Sequence, residues 1–221
     1  MPRITEERRE ARREQILDAA RACVLEHGLE AVSMEMIIAR SGLSTGAVYR
    51  YFKGKDEIIG AAVAASASEI GAAVAPILIN PTSRLPSQLV EELLAAWVGY
   101  AHSGVGAAAG VDRMPTALHG WSYAQTDPDV MAALRANLRG FRERCVPLVK
   151  RWQDEGEVAA DADPAAVAQL MLSISLGFVA QRSLAGDADA GAHACALAAL
   201  TAGGPASGRP ANGPQPAAPG A

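Results

Sequence analysis

The stretch from residue 44 to 55 combines side chains that suit a nucleic acid. The hydroxyls of Ser44 and Thr45 can bind phosphate oxygens, and the guanidinium of Arg50 can pair with O6 and N7 of a guanine. Between residues 37 and 55 the chain has no acidic residue and four cations: Arg40, Arg50, Lys53 and Lys55. Such a run is either a solvated protein face or a surface that binds phosphates, so the surrounding pattern has to decide.

The charge of the chain is distributed unevenly. The whole chain of 221 residues has a net charge of -4. Residues 1–55 nevertheless hold ten Lys and Arg against eight Asp and Glu, whereas residues 56–221 hold ten against sixteen. Because nucleic acid binding depends on where the basic groups lie, the acidic pI of about 5.6 does not exclude it.

The other reactive side chains form no catalytic or metal-binding pattern. The sequence lacks H-E-x-x-H and G-x-S-x-G, and its cysteines form no C-x-x-C pair. We therefore expect no catalytic residue, no metal and no cofactor, and a reducing, cytoplasmic compartment. The absence of these motifs argues against the rival hypothesis that the protein is an enzyme. The histidines and cysteines are scattered: His27, His102, His119, His193, Cys23, Cys145 and Cys195.

The N-terminal part of the chain is predicted to form a helix-turn-helix. Ser33 and Ser44 can cap the second and third helices, and Gly42 allows the turn between them. Val48 and Phe52 lie four residues apart and should face inward together, which leaves the other side of the third helix for the DNA major groove. The four helices predicted here span residues 5–27, 34–40, 45–52 and 56–74.

The segment SMEMIIARSGLSTGAVYRYFKGKDEI resembles the N-terminal DNA-binding domain of the TetR/AcrR family of transcriptional repressors. The resemblance covers about residues 8–60, a quarter of the chain. It implies a three-helix DNA-binding domain over residues 1–55 and a helical domain for ligand binding and dimerisation over residues 56–202. The landmarks in register are Gly42-Leu43-Ser44, Val48-Tyr49, Tyr51-Phe52 and Lys53-Gly54-Lys55-Asp56.

Eight residues are candidate DNA contacts. Ser44 either binds phosphate or only caps its helix, and Arg50 either reads a guanine or clamps a phosphate. The small residues Gly46 and Ala47 either allow close approach to the groove or serve helix packing. The resemblance and the side-chain chemistry together give this set: Ser44, Thr45, Gly46, Ala47, Tyr49, Arg50, Tyr51 and Lys55.

The rest of the chain is predicted to be helical as well. No segment alternates at period two, so the predicted fold class is all-α with about nine helices. Residues 203–221 contain five prolines and five glycines and are predicted to be a disordered tail. The glycine-rich run over residues 104–110 is predicted to be a mobile linker. The later helices are predicted over residues 87–102, 115–125, 129–155, 164–184 and 190–201.

Aromatic side chains are concentrated where the family resemblance implies an effector pocket. An apolar wall with a few polar groups suits a hydrophobic small molecule, although each residue taken singly could be plain core. His119 could line a pocket or lie in the core, and the role of a base is the least expected of the three. The candidate ligand contacts are Trp97, Tyr100, Met114, Leu118, His119, Trp121, Tyr123 and Phe178.

The last two predicted helices are candidates for a subunit interface. The helix over residues 164–184 is apolar nearly all round, so it must be covered on more than one side. A four-helix bundle with the same helices of a second subunit would cover it, and the resemblance implies that interface; burial within one subunit is the alternative. The candidate interface residues are Val167, Leu170, Met171, Ile174 and Phe178.

Export and membrane insertion are not expected. Residues 1–15 carry alternating charges where a secretory signal needs an apolar region. Residues 164–181 are uncharged and approach the roughly 18–20 residues that span a bilayer, but they include two glutamines and two serines. We therefore expect a helix that is buried in protein.

Together these features predict a ligand-responsive transcriptional repressor. It would bind a palindromic operator in double-stranded DNA as a homodimer, and the family resemblance implies that an apolar small molecule releases it. The alternative is a ligand-independent or activating DNA-binding regulator of the same fold.

Overall fold

The computed structural model describes residues 6–81, 83–104 and 112–202. This part of the chain forms nine α-helices and contains no strand, which confirms the predicted all-α class. The predicted tail and all of the predicted linker except Gly104 lie outside the described residues. The helices are α1 (Glu6–His27), α2 (Met34–Ser41), α3 (Thr45–Val48), α4 (Lys55–Ile79), α5 (Pro86–Ala101), α6 (Met114–Ala124), α7 (Pro128–Asp154), α8 (Pro164–Ala185) and α9 (Ala190–Ala202).

Local capping defines the ends of the two short helices. The Ser33 hydroxyl accepts the N–H of Met36 at 3.3 Å at the start of α2. The Ser44 hydroxyl accepts the N–H of Ala47 at 3.3 Å at the start of α3. Gly42 closes α2 at a φ of 67°, a left-handed conformation that costs glycine little. The turn between the two helices is therefore specified by residues within it.

Helix α3 is shorter than the sequence predicts. It ends at Val48, and the backbone then tightens: the N–H of Tyr51 donates to the carbonyl of Val48 at 2.9 Å. The prediction of a helix as far as Phe52 was wrong by four residues. The tighter turn still brings Phe52 to the same side as Val48, and both side chains are buried.

Helix α4 is longer than the sequence predicts, because it continues past Val74 and through Pro76 to Ile79. A proline inside a helix removes one backbone hydrogen bond and crowds the preceding turn. The apolar side chains of Val74 and Leu78 are buried on either side of it, and their burial favours the helical conformation. The residues around Pro76 therefore decide the end of the helix.

The buried apolar residues form two clusters, and α4 contributes to both. Ile58 and Ile59 in its first turns pack with α1–α3, whereas Val74 and Leu78 pack with α5–α9. The head, defined as α1–α3 with the first turns of α4, therefore shares a continuous helix with the second cluster. The predicted domain boundary after Lys55 falls at the first residue of that helix and stays a prediction.

By length and hydropathy alone, α4 and α8 could each cross a membrane. Both are packed against other helices: α4 lies against α1, α5 and α7, and α8 lies against α5, α6 and α7. Their apolar character therefore has an explanation in the packing of the bundle.

The inward position of Phe52 predicts a large difference between two neighbouring aromatic residues. Phe52 is 4% exposed and Tyr49 is 51% exposed. We expect Phe52→Ala to lower the free energy of unfolding by about 3–5 kcal/mol because it leaves a cavity. Tyr49→Ala should change it by less than about 0.5 kcal/mol. Urea denaturation followed by circular dichroism measures both, and equal losses would contradict the burial of Phe52.

Candidate DNA-binding surface and ligand cavity

The predicted DNA contacts surround the outer side of α3. Val48 and Phe52 are buried on its inner side. Tyr51 packs partly against the hydrophobic cluster of the head, so only part of its ring is accessible to another molecule. Among the eight candidates, the half-buried ones are Ala47, Tyr51 and Lys55, and the exposed ones are Ser44, Thr45, Gly46, Tyr49 and Arg50.

Gly46 packs against no other side chain in the part of the chain that the structure describes. A Cβ atom built at this position would have nothing within 4 Å, and its backbone does not require glycine. Of the two interpretations of this small residue, helix packing is therefore not supported by its surroundings. Ser44 is engaged as the cap of α3, and its hydroxyl hydrogen is not used by that bond.

The cations around α3 differ in their partners. Arg40 donates to the carboxylate of Glu26, and this hydrogen bond holds the pKa of Glu26 below its usual value. Within the described chain, Arg50, Lys53 and Lys55 form no ion pair. Their positive charge is therefore uncompensated by any direct pair, which suits a phosphate backbone.

A cavity of about 170 Å³ lies beside the head. Residues of α1, α4, α5, α6, α7 and α8 line it, so its wall includes the first helix of the head as well as the second cluster. Four of the eight predicted ligand contacts belong to this lining: Trp97, Tyr100, His119 and Trp121.

The other four predicted ligand contacts lie outside the lining. Met114 and Phe178 are buried in the second cluster, and the ring of Phe178 meets His193 edge-on at 5.4 Å. Leu118 is half-buried on α6. The hydroxyl of Tyr123 donates to the carbonyl of Asp56 at 2.8 Å, which ties α6 to the start of α4. Burial raises the pKa of Tyr123.

Sequence reasoning missed three arginines of the lining: Arg21, Arg113 and Arg144. Arg113 is 4% exposed, donates to the Tyr100 hydroxyl at 2.9 Å and lies 4.5 Å above that ring. Glu69 of α4 pairs with Arg113 at 3.5 Å and with Arg21 of α1 at 2.8 Å. One carboxylate thus joins the head to the cavity wall. Arginines in polar stretches are typical of surfaces, so no sequence signal indicated this arrangement.

The predicted interface residues differ in how far the subunit itself covers them. Met171 and Phe178 are buried in the subunit's own second cluster, and Val167 and Ile174 are half-buried and pack against it. Leu170 is 56% exposed. Two further exposed residues on α8 and α9 were not predicted, namely Leu184 at 79% and Leu200 at 80%.

The remaining reactive groups of the described residues do not form a second site. No group of three or more His, Cys, Asp or Glu side chains there could hold a metal ion. Burial raises the pKa of the Cys145 thiol to about 12 and also raises that of Cys23. A thiol with a raised pKa is a poor nucleophile at neutral pH.

Comparisons with known proteins match both parts of the chain. The family described as "Bacterial regulatory proteins, tetR family" matches residues 16–62, and "BetI-type transcriptional repressor, C-terminal" matches residues 108–203. The HTH-type transcriptional repressor Rv1474c of Mycobacterium tuberculosis is 38% identical over 58 residues, 26% of this chain and 31% of that protein. The chain thus matches under a third of that relative's length.

A longer match is to the HTH-type transcriptional regulator BetI of Pectobacterium atrosepticum, 26% identical over 67% of this chain and 74% of that protein. Among solved structures, Salmonella enterica GusR is 23% identical with a TM-score of 0.64, covering 91% of this chain and 98% of that one. A TetR transcription regulator from Haloarcula marismortui is 20% identical with a TM-score of 0.66, covering 87% and 97%. These two likenesses show a shared fold.

The N-terminal match spans the helix-turn-helix and the first turns of α4, and the C-terminal match spans α6–α9. The segments matched by the two family models therefore coincide with helices of the structure, and the solved structures share its fold. The chain belongs to the TetR family of bacterial regulatory proteins.

Proposed function

We propose that this protein is a cytoplasmic transcriptional repressor that binds a palindromic operator as a homodimer and releases it when an apolar small molecule fills the cavity. The observation that supports this most is the composition of the cavity wall. The wall includes residues of α1 and α4, two helices that contribute to the head and pack with α3. A molecule in the cavity would therefore touch the elements that position α3. The similar M. tuberculosis protein is a transcriptional repressor, which agrees with this function.

The DNA-binding step uses α3 in the major groove. Thr45 at its start and Tyr49 and Arg50 in the turn that follows it are exposed, and the open space at Gly46 lets the backbone approach the bases closely. One such short helix makes few contacts, so a repressor needs two of them at a fixed separation. Two-fold related subunits would present them to half-sites about 34–36 Å apart, one turn of DNA.

The dimer would form through the exposed face of α8 and α9. Leu170, Leu184 and Leu200 are large apolar side chains that the subunit leaves in contact with water. Two copies of this helix pair would make a four-helix bundle and remove these side chains from solvent.

The release step depends on α4. Its first turns pack in the core of the head, and its middle lines the cavity. A ligand that prefers the arrangement with the heads displaced would lower operator affinity, and operator would lower ligand affinity by the same factor. A ligand that binds free protein and DNA complex equally would have no such effect. This distinguishes the proposed sensor from a ligand-independent regulator.

Arg50 and Lys55 should differ in how they affect DNA binding. Arg50→Ala should relax base preference at one position per half-site, by about 1–3 kcal/mol of discrimination. Lys55→Ala should weaken binding to all sequences and reduce the salt dependence by about one ion per subunit. Operator selection from random DNA followed by fluorescence anisotropy at several salt concentrations measures both effects.

Lys150→Ala is the matched control, because Lys150 is an exposed cation on α7. It should leave both sequence preference and salt dependence unchanged. Wild-type binding by both Arg50→Ala and Lys55→Ala would overturn the assignment of this surface to DNA.

A substitution at Gly46 should weaken DNA binding without destabilising the fold. Since a side chain at this position meets no neighbour, Gly46→Leu should leave the thermal unfolding midpoint unchanged or slightly raised. The same variant should bind operator at least about tenfold more weakly, a loss of roughly 1.4 kcal/mol or more. If it binds operator as the wild type does, α3 does not approach DNA closely.

Charged substitutions on α8 and α9 test the proposed subunit interface. The double variant Leu170→Glu, Leu200→Glu should be a monomer in light scattering at micromolar concentration, because burying the paired carboxylates would be costly. Tyr49→Glu adds a carboxylate on the head and should remain a dimer. A wild-type monomer, or a double variant that still dimerises, would contradict this interface.

A further inference from the structure

We propose that the cavity binds an apolar monocarboxylate whose carboxylate pairs with Arg144. This inference rests on the proposed function, in which the cavity is the effector site, and it names the chemical class of the effector.

The lining of the cavity is cationic. The described residues that line it include three arginines and no aspartate or glutamate. Glu69, just outside the lining, neutralises two of them through its ion pairs with Arg21 and Arg113. Asp112 beside Arg113 is also engaged, since Arg182 pairs with it at 3.0 Å. The third arginine of the lining, Arg144, has no ion pair among the described residues.

Arg144 is held at the wall without an acceptor. It lies on α7 on the same stripe as the lining residues Asn137 and Phe141. Its Nε is buried and has no hydrogen-bond partner in the described part of the chain. A Cβ at Gly140 would lie 3.2 Å from its Nη1, so the glycine leaves room for the guanidinium against the helix. An unpaired buried donor is unfavourable, and a ligand that supplies an acceptor removes that cost.

A carboxylate is the group that satisfies this guanidinium best. Its two oxygens can accept two parallel N–H donors, and such bidentate pairs are stronger and more directional than neutral hydrogen bonds. A ligand cation would find no acidic side chain in the lining. One aromatic face that could hold a cation is already occupied, because Arg113 lies 4.5 Å above the ring of Tyr100.

The rest of the cavity wall is largely apolar, so the part of the ligand beyond its carboxylate should be apolar as well. Trp97, Phe141, Leu172 and Leu176 belong to it. The volume of about 170 Å³ is close to that of an engineered cavity of about 150 Å³ that binds benzene. The ligand class is therefore a small carboxylic acid with one ring or a short aliphatic chain.

The test uses two matched series with the full-length protein and isothermal titration calorimetry. One series is 3-phenylpropanoate, 3-phenylpropanamide and 3-phenylpropylamine, and the other is octanoate, octanamide and octylamine. In at least one series we expect the acid to bind at least tenfold more tightly than the amide, and the amine to bind most weakly. Arg144→Gln should lower affinity for that acid at least tenfold and change affinity for the amide less than twofold.

Two further variants keep the test decisive. Arg142→Gln is the matched control, because Arg142 is exposed on the same helix and donates to Gln169 at 2.8 Å. It should bind the acid as the wild type does. Arg144→Lys keeps the charge but loses the bidentate fork, so its affinity for the acid should lie between those of the wild type and Arg144→Gln. Circular dichroism checks that each variant is folded.

Three results would overturn the inference: no binding by either acid, equal binding of acid and amide in both series, or an acid preference that survives Arg144→Gln. Operator release is measured separately by fluorescence anisotropy with the same acids. An acid that binds through Arg144 but leaves the operator complex intact would support the ligand class and overturn the proposed release. Failure of both acids to bind, with operator binding retained, would overturn the ligand class alone.

Discussion

The packing of α4 in two hydrophobic clusters is the constraint on which the other features depend. Ile58 and Ile59 hold its beginning against α1 and α3, and Val74 and Leu78 hold its end in the second cluster. Helices resist bending because each turn is hydrogen-bonded to the next. In the proposed mechanism, a ligand in the cavity beside the middle of α4 would therefore act on α3 by displacing the whole head.

The distribution of charge also distinguishes the head from the rest of the molecule. Residues 37–55, which include α3 and contain no acidic residue, belong to a chain whose net charge is negative, and this favours docking of DNA through the head. Inside, Glu69 pairs with Arg21 of the head and with Arg113 of the cavity wall. Because Arg113 is largely buried, this bridge is less screened than a surface pair and ties the two regions together.

The sequence predicts features that local chemistry determines. Ser44 and Gly42 act within three or four residues of their own positions, so the helix-turn-helix was predictable, although the tighter turn after α3 was not. The bridge by Glu69 joins residues more than forty positions apart. It depends on how α1, α4 and α6 meet. For the same reason the aromatic residues near α6 could be placed in one region but not sorted between cavity and core.

The most direct test of the central claim is the distance between the two α3 helices of a dimer. Cys23 and Cys145 are buried, so a Glu30→Cys, Cys195→Ser variant would carry a spin label on each head, at an exposed residue that is not a candidate DNA contact. We expect double electron–electron resonance on the operator complex to give one narrow distance, because half-sites about 34–36 Å apart fix the separation of the two heads, and a different or broader distribution without DNA. The absence of a distance between subunits, or a distribution unchanged by operator, would contradict the account.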